Sequence, residues 1–442
     1  MERIVLLIST LDTKCEETMF LRDKIRDLGA YPLVMDLSMS RDVPGADISP
    51  AQIAEAAGTN IEEIRASSER KKITNQMIAG AVKTAMHLFG ENRLGGVIGL
   101  GGSTSSLMAT EVMRAMPFGV PKLMVSSTAA LPGLSTHYIG TGDISIFHTV
   151  IEISGLSKPL CNVLERAAGA IVGMASAEPL TVESARSEGR PLIALSMFGP
   201  TEHCANHIQN RLQREGYQVI GFSAAGVCDR AMEQMIGLEF FDGVVDLTPG
   251  GVGEEILGGM RAAGPERLTS AGKLGIPQVV APGGVNLMSP RKSRYKPEYH
   301  QRRKYDLDAL RTFIRLSDDE MKQVSEVFVE KLADAAGSTV LMFPTQGWSA
   351  VDRPSSHMFD ADQDRIFLNV LREKLGARLD IREVDANLED DRFAEAVEEV
   401  CLEVFPTPGT VWKSSSQFHI TPEGRSHVSE ELDVTSAILD SQ

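Results

Sequence analysis

Short runs of branched apolar residues alternate along this chain with stretches in which apolar side chains recur every three or four positions. Residues 4–8, Ile-Val-Leu-Leu-Ile, are continuously apolar, as a parallel strand covered on both faces requires. Beyond them Thr13-Lys-Cys-Glu16 has capping-box spacing, Leu21, Ile25 and Leu28 follow at helical period, and Gly29 is placed to end the helix. Residues 33–35 predict a second strand, and 97–100, 122–125 and 170–174 predict three more, with helices between them. Strands separated by helices imply right-handed crossovers and a parallel sheet.

The same programme starts again near residue 191. Residues 192–197 read as a strand, Gly199-Pro-Thr201 as a turn, and Ala205, Ile208 and Leu212 as the buried stripe of a helix ended by Gly216. Residues 217–222 form the next strand. Gly96-Val-Ile-Gly-Leu-Gly-Gly-Ser is then answered by Gly243-Val-Val-Asp-Leu-Thr-Pro-Gly-Gly, and Gly119-Val-Pro-Lys-Leu-Met-Val by Gly275-Ile-Pro-Gln-Val-Val-Ala. Correspondences in one order predict two related Rossmann-like parallel-sheet domains in tandem, an α/β fold with domains at 1–180 and 191–405. Further strands are expected at 339–343 and 378–384, and helices at 362–375 and 392–405. The polar stretch 176–190 reads as a linker and 406–442 as an irregular tail.

Composition narrows the function classes. The 442 residues carry 44 basic and 60 acidic side chains, a formal charge of −16, which repels phosphate backbones and argues against general nucleic-acid binding. No run approaches the roughly 20 apolar residues of a membrane span, and the first apolar run is too short for a signal-peptide core. Five scattered cysteines without a C-x-x-C spacing fit reduced thiols, so the expected location is cytoplasmic.

Open parallel sheets bind ligands beyond the carboxyl ends of their strands, which singles out small polar loops. Four lie in the first half: Thr10, Asp12, Thr13 and Lys14; Gly101, Gly102, Ser103 and Thr104; Ser126, Ser127 and Thr128; and Gly142 with Asp143. Gly101 and Gly102 permit close backbone approach, and the N–H groups after them open a helix whose positive end favours phosphate or carboxylate. Lys14 could supply countercharge, and Asp12 or Asp143 could take a ribose hydroxyl or hydrated Mg²⁺. The loop matches neither G-x-x-x-x-G-K-[ST] nor G-x-G-x-x-G, and its small residues could equally serve tight packing. Thr248-Pro-Gly-Gly-Val-Gly253 and Ala281-Pro-Gly-Gly284 offer a comparable rim in the second half, joined by Ser223-Ala-Ala-Gly226, with Glu254 and Glu255 as capping acids.

Other candidates are thinner. His203 and His207 share a helix face, but H-C-A-N-H lacks the Glu of H-E-x-x-H and no third ligand is apparent, so no metal is assigned. Cys204 lacks an assignable base. His137 and His148 flank the Gly140–Asp143 loop as candidate acid–base groups. Residues 291–304, the densest basic segment, could close over an anion or remain a solvated loop.

Several stretches carry a family resemblance: residues 4–17, Gly95–Thr104, Pro117–Thr128, Asp143–Gly155, Ala262–Arg267 and Pro344–Asp352. They resemble, in order, the tobamovirus-resistance-protein-like ATP-binding family, whose bacterial and fungal members mostly have no assigned reaction. The resemblance implies two α/β domains, ATP binding by the first domain and a homodimer. The chain departs from it at Gly101-Gly-Ser-Thr-Ser-Ser106, where relatives read more like G-G-S-G-G-T, and at Phe222-Ser-Ala-Ala-Gly226 and Asp306-Leu-Asp308, where relatives tend to carry histidines. The leading expectation is a cytoplasmic protein that binds ATP, with or without Mg²⁺, through the first-domain loops. The alternatives are an enzyme acting on a small acidic or phosphorylated metabolite in a cleft between domains, and a scaffold without ligand.

Overall fold

Alternate side chains of the first strand, β1 (Ile4–Ser9), feed two separate cores. Val5 and Leu7 pack with Leu21 and Ile25, while Leu6 and Ile8 pack with Met77, Met108 and Val112. This is why the run is apolar without alternation: both faces of the strand are covered. A computed structural model describes residues 4–178, 180, 185 and 190–409. Contacts divide the chain into two compact units that part near residue 180.

In the first unit, β1 is followed by α1 (Leu11–Asp27), β2 (Tyr31–Asp36), α2 (Pro50–Ala56), α3 (Ile61–Ala66), α4 (Arg70–Gly90) and β3 (Leu94–Gly101). Then come α5 (Ser103–Ala115), β4 (Lys122–Ser126), α6 (Leu134–Ile139), β5 (Ser145–His148) and α7 (Lys158–Ala175). The strands form one parallel sheet in the order β2-β1-β3-β4-β5. Gly29 ends α1 with φ at +87°, the left-handed turn its position predicted. Two expectations need correction. The run 170–174 is no strand: it is the last turns of α7, whose buried Leu164, Ala168 and Ile171 recur at helical period. Helix α1 also begins before Thr13, at Leu11, and its first N–H groups are capped from outside. Leu11 N donates to Asp36 Oδ1 at 2.9 Å and Asp12 N to Ser38 Oγ at 2.9 Å, which makes a local capping box unnecessary.

The second unit repeats the plan. It runs β6 (Leu192–Met197), α8 (Glu202–Arg214), β7 (Gln218–Ser223), α9 (Val227–Gly237), β8 (Gly243–Asp246), α10 (Gly251–Leu257), α11 (Ser270–Leu274) and β9 (Gln278–Val280). A three-stranded antiparallel insertion follows, β10 (Leu287–Met288), β11 (Lys304–Asp306) and β12 (Thr312–Arg315), before α12 (Asp318–Leu332), β13 (Thr339–Pro344), α13 (Ala361–Leu375), β14 (Asp380–Val384) and α14 (Asp391–Val404). The main sheet is parallel in the order β7-β6-β8-β9-β13-β14. Its first five strands match the first sheet position for position, with one strand added at the edge. The chain therefore folds as two Rossmann-like α/β domains in tandem. The expected linker and tail lie largely outside the described residues. The basic segment 291–304 packs as short 3₁₀ turns around buried Tyr299, with Arg302 paired to Glu320 at 2.5 Å and Arg303 to Asp360 at 3.2 Å.

Candidate functional site

In the first sheet β2 lies on one side of β1 while β3 and β4 lie on the other. The crossover after β1 leads to α1 on the face shared with α7, and α5, after β3, packs on the opposite face. The two connections diverge and leave a crevice at the carboxyl ends of β1 and β3, the topological switch point at which such sheets bind ligands.

The crevice is lined by hydroxyls and backbone donors. Thr10 Oγ1 lies 2.8 Å from Ser105 Oγ and 3.1 Å from Thr13 Oγ1, joining the β1 loop to the first turn of α5. A Cβ on Gly101 would lie 2.3 Å from the Ser105 Cβ, so only glycine lets the chain turn from β3 into α5 here. No side chain caps the N-terminus of α5, and its first turn carries no acidic residue. The N–H groups of Ser103, Thr104 and Ser105 therefore head a 13-residue helix with their positive partial charge uncompensated by carboxylate. Ser103 and Thr104 are exposed. Ser126, at the end of β4, is buried and bonds Ser106 Oγ at 2.7 Å and Thr128 Oγ1 at 3.2 Å. Ser127 lies beside the crevice, its Oγ 3.4 Å from Glu152.

Charge is arranged less simply than expected. Lys14, where α1 is kinked at φ −131°, donates to the Ile153 carbonyl and lies 3.9 Å from Glu152. Its ammonium ties the β1 loop to the loop after β5. Asp12 accepts from Ser40 Oγ at 2.5 Å. Asp36, fully buried at the end of β2, spends Oδ1 on Leu11 N and Ser38, while no described residue engages its Oδ2; burial pushes its carboxyl up. Gly142 and Asp143 do not belong to this rim. They precede β5, and Asp143 Oδ1 lies 2.5 Å from the Nζ of Lys122, the first residue of β4, while its Oδ2 accepts from Gly119 N at 2.9 Å. The loop thus lies at the amino edge of the sheet, where Asp143 compensates a fully buried ammonium whose pKa burial pulls down. Glu152 is the rim carboxylate that sequence spacing missed; it follows a β5 too short to be recognised from apolar periodicity. Val150, two residues earlier, holds φ at +66° and is 80% exposed, a conformation costly for a β-branched residue.

The second rim is built differently. A Cβ on Gly283 would lie 2.3 Å from the Leu247 carbonyl oxygen, and one on Gly250 would lie 2.5 Å from that of Gly284. Residues 247–253 and 281–290 are buried throughout. These glycines serve loop-to-loop packing, so the comparable rim expected there is closed in this structure. Beneath it lies a buried ionic network. Arg267, fully buried, meets Asp246 at 2.5 Å, Asp229 at 2.9 Å and Glu233 at 3.4 Å, and Ser196 Oγ donates to Asp246 at 2.8 Å. Glu254 is fully buried and holds Arg261 and Ser289 Oγ at 2.8 and 2.7 Å, so it anchors a side chain and does not cap a helix. Arg261 in turn stacks 4.4 Å over Phe198. His203 and His207 pair with Asp391 and Glu398 at 2.7 Å each, and burial keeps the Cys204 thiol protonated, well above its usual range.

The family description "Uncharacterised protein family (UPF0261) N-terminal domain" matches residues 3–179, and its C-terminal counterpart matches residues 190–405. The chain belongs to UPF0261. A UPF0261 protein of Clostridium tetani is 32% identical over 400 residues, covering 90% of this chain and 98% of that protein. A UPF0261 protein of Brucella suis is 30% identical over 396 residues. The "ToMV resistance protein Tm-1(GCR237)" of Solanum lycopersicum is 28% identical over 422 residues, covering 91% of this chain but 56% of the plant protein. The resemblance read from the sequence thus holds at the level of UPF0261 and its tomato relative. Among the described residues no helix is long and apolar enough to cross a membrane.

Proposed function

We propose that this UPF0261 protein binds ATP, and that the first unit holds it at the β1/β3 crevice. The triphosphate lies against the uncapped N–H groups of Ser103, Thr104 and Ser105, with Thr10, Ser127 and the α5 hydroxyls as further donors. The observation that supports this most strongly is the coincidence of the switch point with a helix start that has no side-chain cap, no first-turn carboxylate and a ring of small hydroxyls. Helix N-termini of this kind favour phosphate by both dipole and geometry. Asp12 and Glu152 are the carboxylates near enough to the rim to receive a ribose hydroxyl or the water shell of Mg²⁺, a role Asp143 does not share. Bound Mg²⁺ would supply charge neutralisation for the phosphates.

The same reading takes the protein to act in the cytoplasm, in keeping with five cysteines that form no disulfide, and as a homodimer, which light scattering of the full chain checks. Calorimetric titration of the full chain with Mg·ATP tests nucleotide binding. We expect saturable binding, weakened at least tenfold in Thr104→Glu, whose carboxylate stands where phosphate would bind and whose exposed position leaves the fold intact. No heat at millimolar nucleotide, or equal affinity in the variant, overturns the proposal.

A further inference from the structure

A second cleft lies wholly within the second unit, at the carboxyl ends of β13 and β14. It measures about 520 Å³, and its walls include Phe343 and Gln346 at the end of β13, Glu383 and Asp385 at the end of β14, and Phe359 and Asp364 leading into and along α13. This is the edge of a parallel sheet at which α/β folds place ligands, and the volume is that of a small-molecule site.

Asp364 distinguishes the cleft from a solvated groove. The residue is 3% exposed, and its Oδ1 is taken by Arg315 and by Asn286 Nδ2 at 3.1 Å, while no described residue engages its Oδ2. A carboxyl oxygen buried without a partner costs free energy, and such groups call for a functional or ligand explanation. Burial, opposed by Arg315 and reinforced by Asp352, pushes the carboxyl up to about 7, so near neutral pH it can donate as well as accept. At the mouth, Asp385 is exposed; Gln346 Nε2 and Thr345 Oγ1 donate to its Oδ1 at 2.8 and 3.1 Å and hold it ionised, below the usual range.

We infer that this cleft binds a neutral polyhydroxylated small molecule of the sugar class, its hydroxyls donating to Asp385 and exchanging hydrogen bonds with Asp364. The charges decide the class. Of three lining carboxylates, the exposed and ionised Asp385 repels phosphates and carboxylic acids at the mouth. Two of them already have arginine partners, Asp364 with Arg315 and Glu383 with Arg365 at 3.4 Å and Arg372 at 2.6 Å, which leaves little field for an ammonium ion. Neutral hydroxyls remain, and they make strong bonds to ionised acceptors. Phe359, half-buried at the wall, supplies apolar surface for the C–H face of a ring.

Saturation-transfer NMR and calorimetry on the full chain test this with glucose, galactose, mannose, ribose and myo-inositol as probes, and choline and inorganic phosphate as contrasts. At least one polyol should bind, with about tenfold weaker affinity in Asp385→Ala at unchanged melting temperature, the loss expected for one hydrogen bond to a charged group. Asp364→Asn should weaken it too; should that variant not fold, Asp385→Ala carries the test. Thr104→Glu should leave polyol binding intact, which separates this site from the nucleotide crevice. Silence across the polyols, binding of choline or phosphate instead, or affinity unchanged in Asp385→Ala overturns the assignment.

Discussion

Single buried charges make the sharpest claims about this protein. Arg267 has no solvent contact; burial opposes its charge, and Asp246, Asp229 and Glu233 outweigh that opposition and raise its pKa. Arg267→Met removes the cation and leaves three carboxylates in the core, so chemical denaturation should show a loss of about 3–5 kcal/mol, the range for breaking a buried pair. Asp364 has the opposite signature. Its folded-state pKa, raised to about 7, exceeds the roughly 3.9 of an unfolded aspartate, so the native state holds a proton that the unfolded state releases between these values. Stability from this group is whole below about pH 4 and is lost as pH rises through about 7. Asp364→Asn cannot ionise, so denaturation should show the variant gaining on the native protein between pH 5 and pH 8; a gap independent of pH would contradict this. Neither residue was legible in the sequence. Both stand in chemically ordinary surroundings, and only the fold brings Asp229, Glu233 and Asp246 around one guanidinium.

At the scale of elements, close approach explains most of what small residues do. A Cβ on Gly80, inside α4, would lie 2.0 Å from the Ile53 carbonyl oxygen in α2. Gly80→Ala improves helix propensity by about 1 kcal/mol yet must push α2 away, and overpacking of this kind, here against a backbone carbonyl, costs about 1–3 kcal/mol. Thermal denaturation should show a lower midpoint; an unchanged or higher one would mean that α2 yields freely. The same physics separated right from wrong in the reading of the loops. Glycines after strands looked alike in sequence, but those at 101–102 open onto exposed Ser103 and Thr104, while those at 250 and 283 are sealed against neighbouring carbonyls. Gly284 is covered by Phe198 and Arg261, and Phe198 packs in turn on Phe313 of the insertion, partners remote in sequence. The 170–174 run misled for a related reason: a helix buried on one face and rich in alanine carries short apolar runs that imitate a strand. Asp143 misled because its loop was assigned to the wrong end of a strand, and only pairing with Lys122 reveals which edge it occupies.

For the whole molecule, the repeat was the most legible feature. Strand-to-helix units recur in order, and both sheets use the same strand sequence because each half must cover both faces of a parallel sheet with its own crossovers. The antiparallel insertion was not legible, since strands of two to four residues carry too little periodicity. Two domains of one plan carry one rim that is open and one that is closed, and the nucleotide reading depends on that difference. Hydrogen–deuterium exchange of the full chain, with and without saturating Mg·ATP, examines it most directly. Peptides covering residues 10–14 and 101–106 should gain protection, while those covering 247–253 and 281–290 should not change. Protection confined to the second unit, or no change in either rim with nucleotide bound, would contradict the assignment of ATP to the β1/β3 crevice.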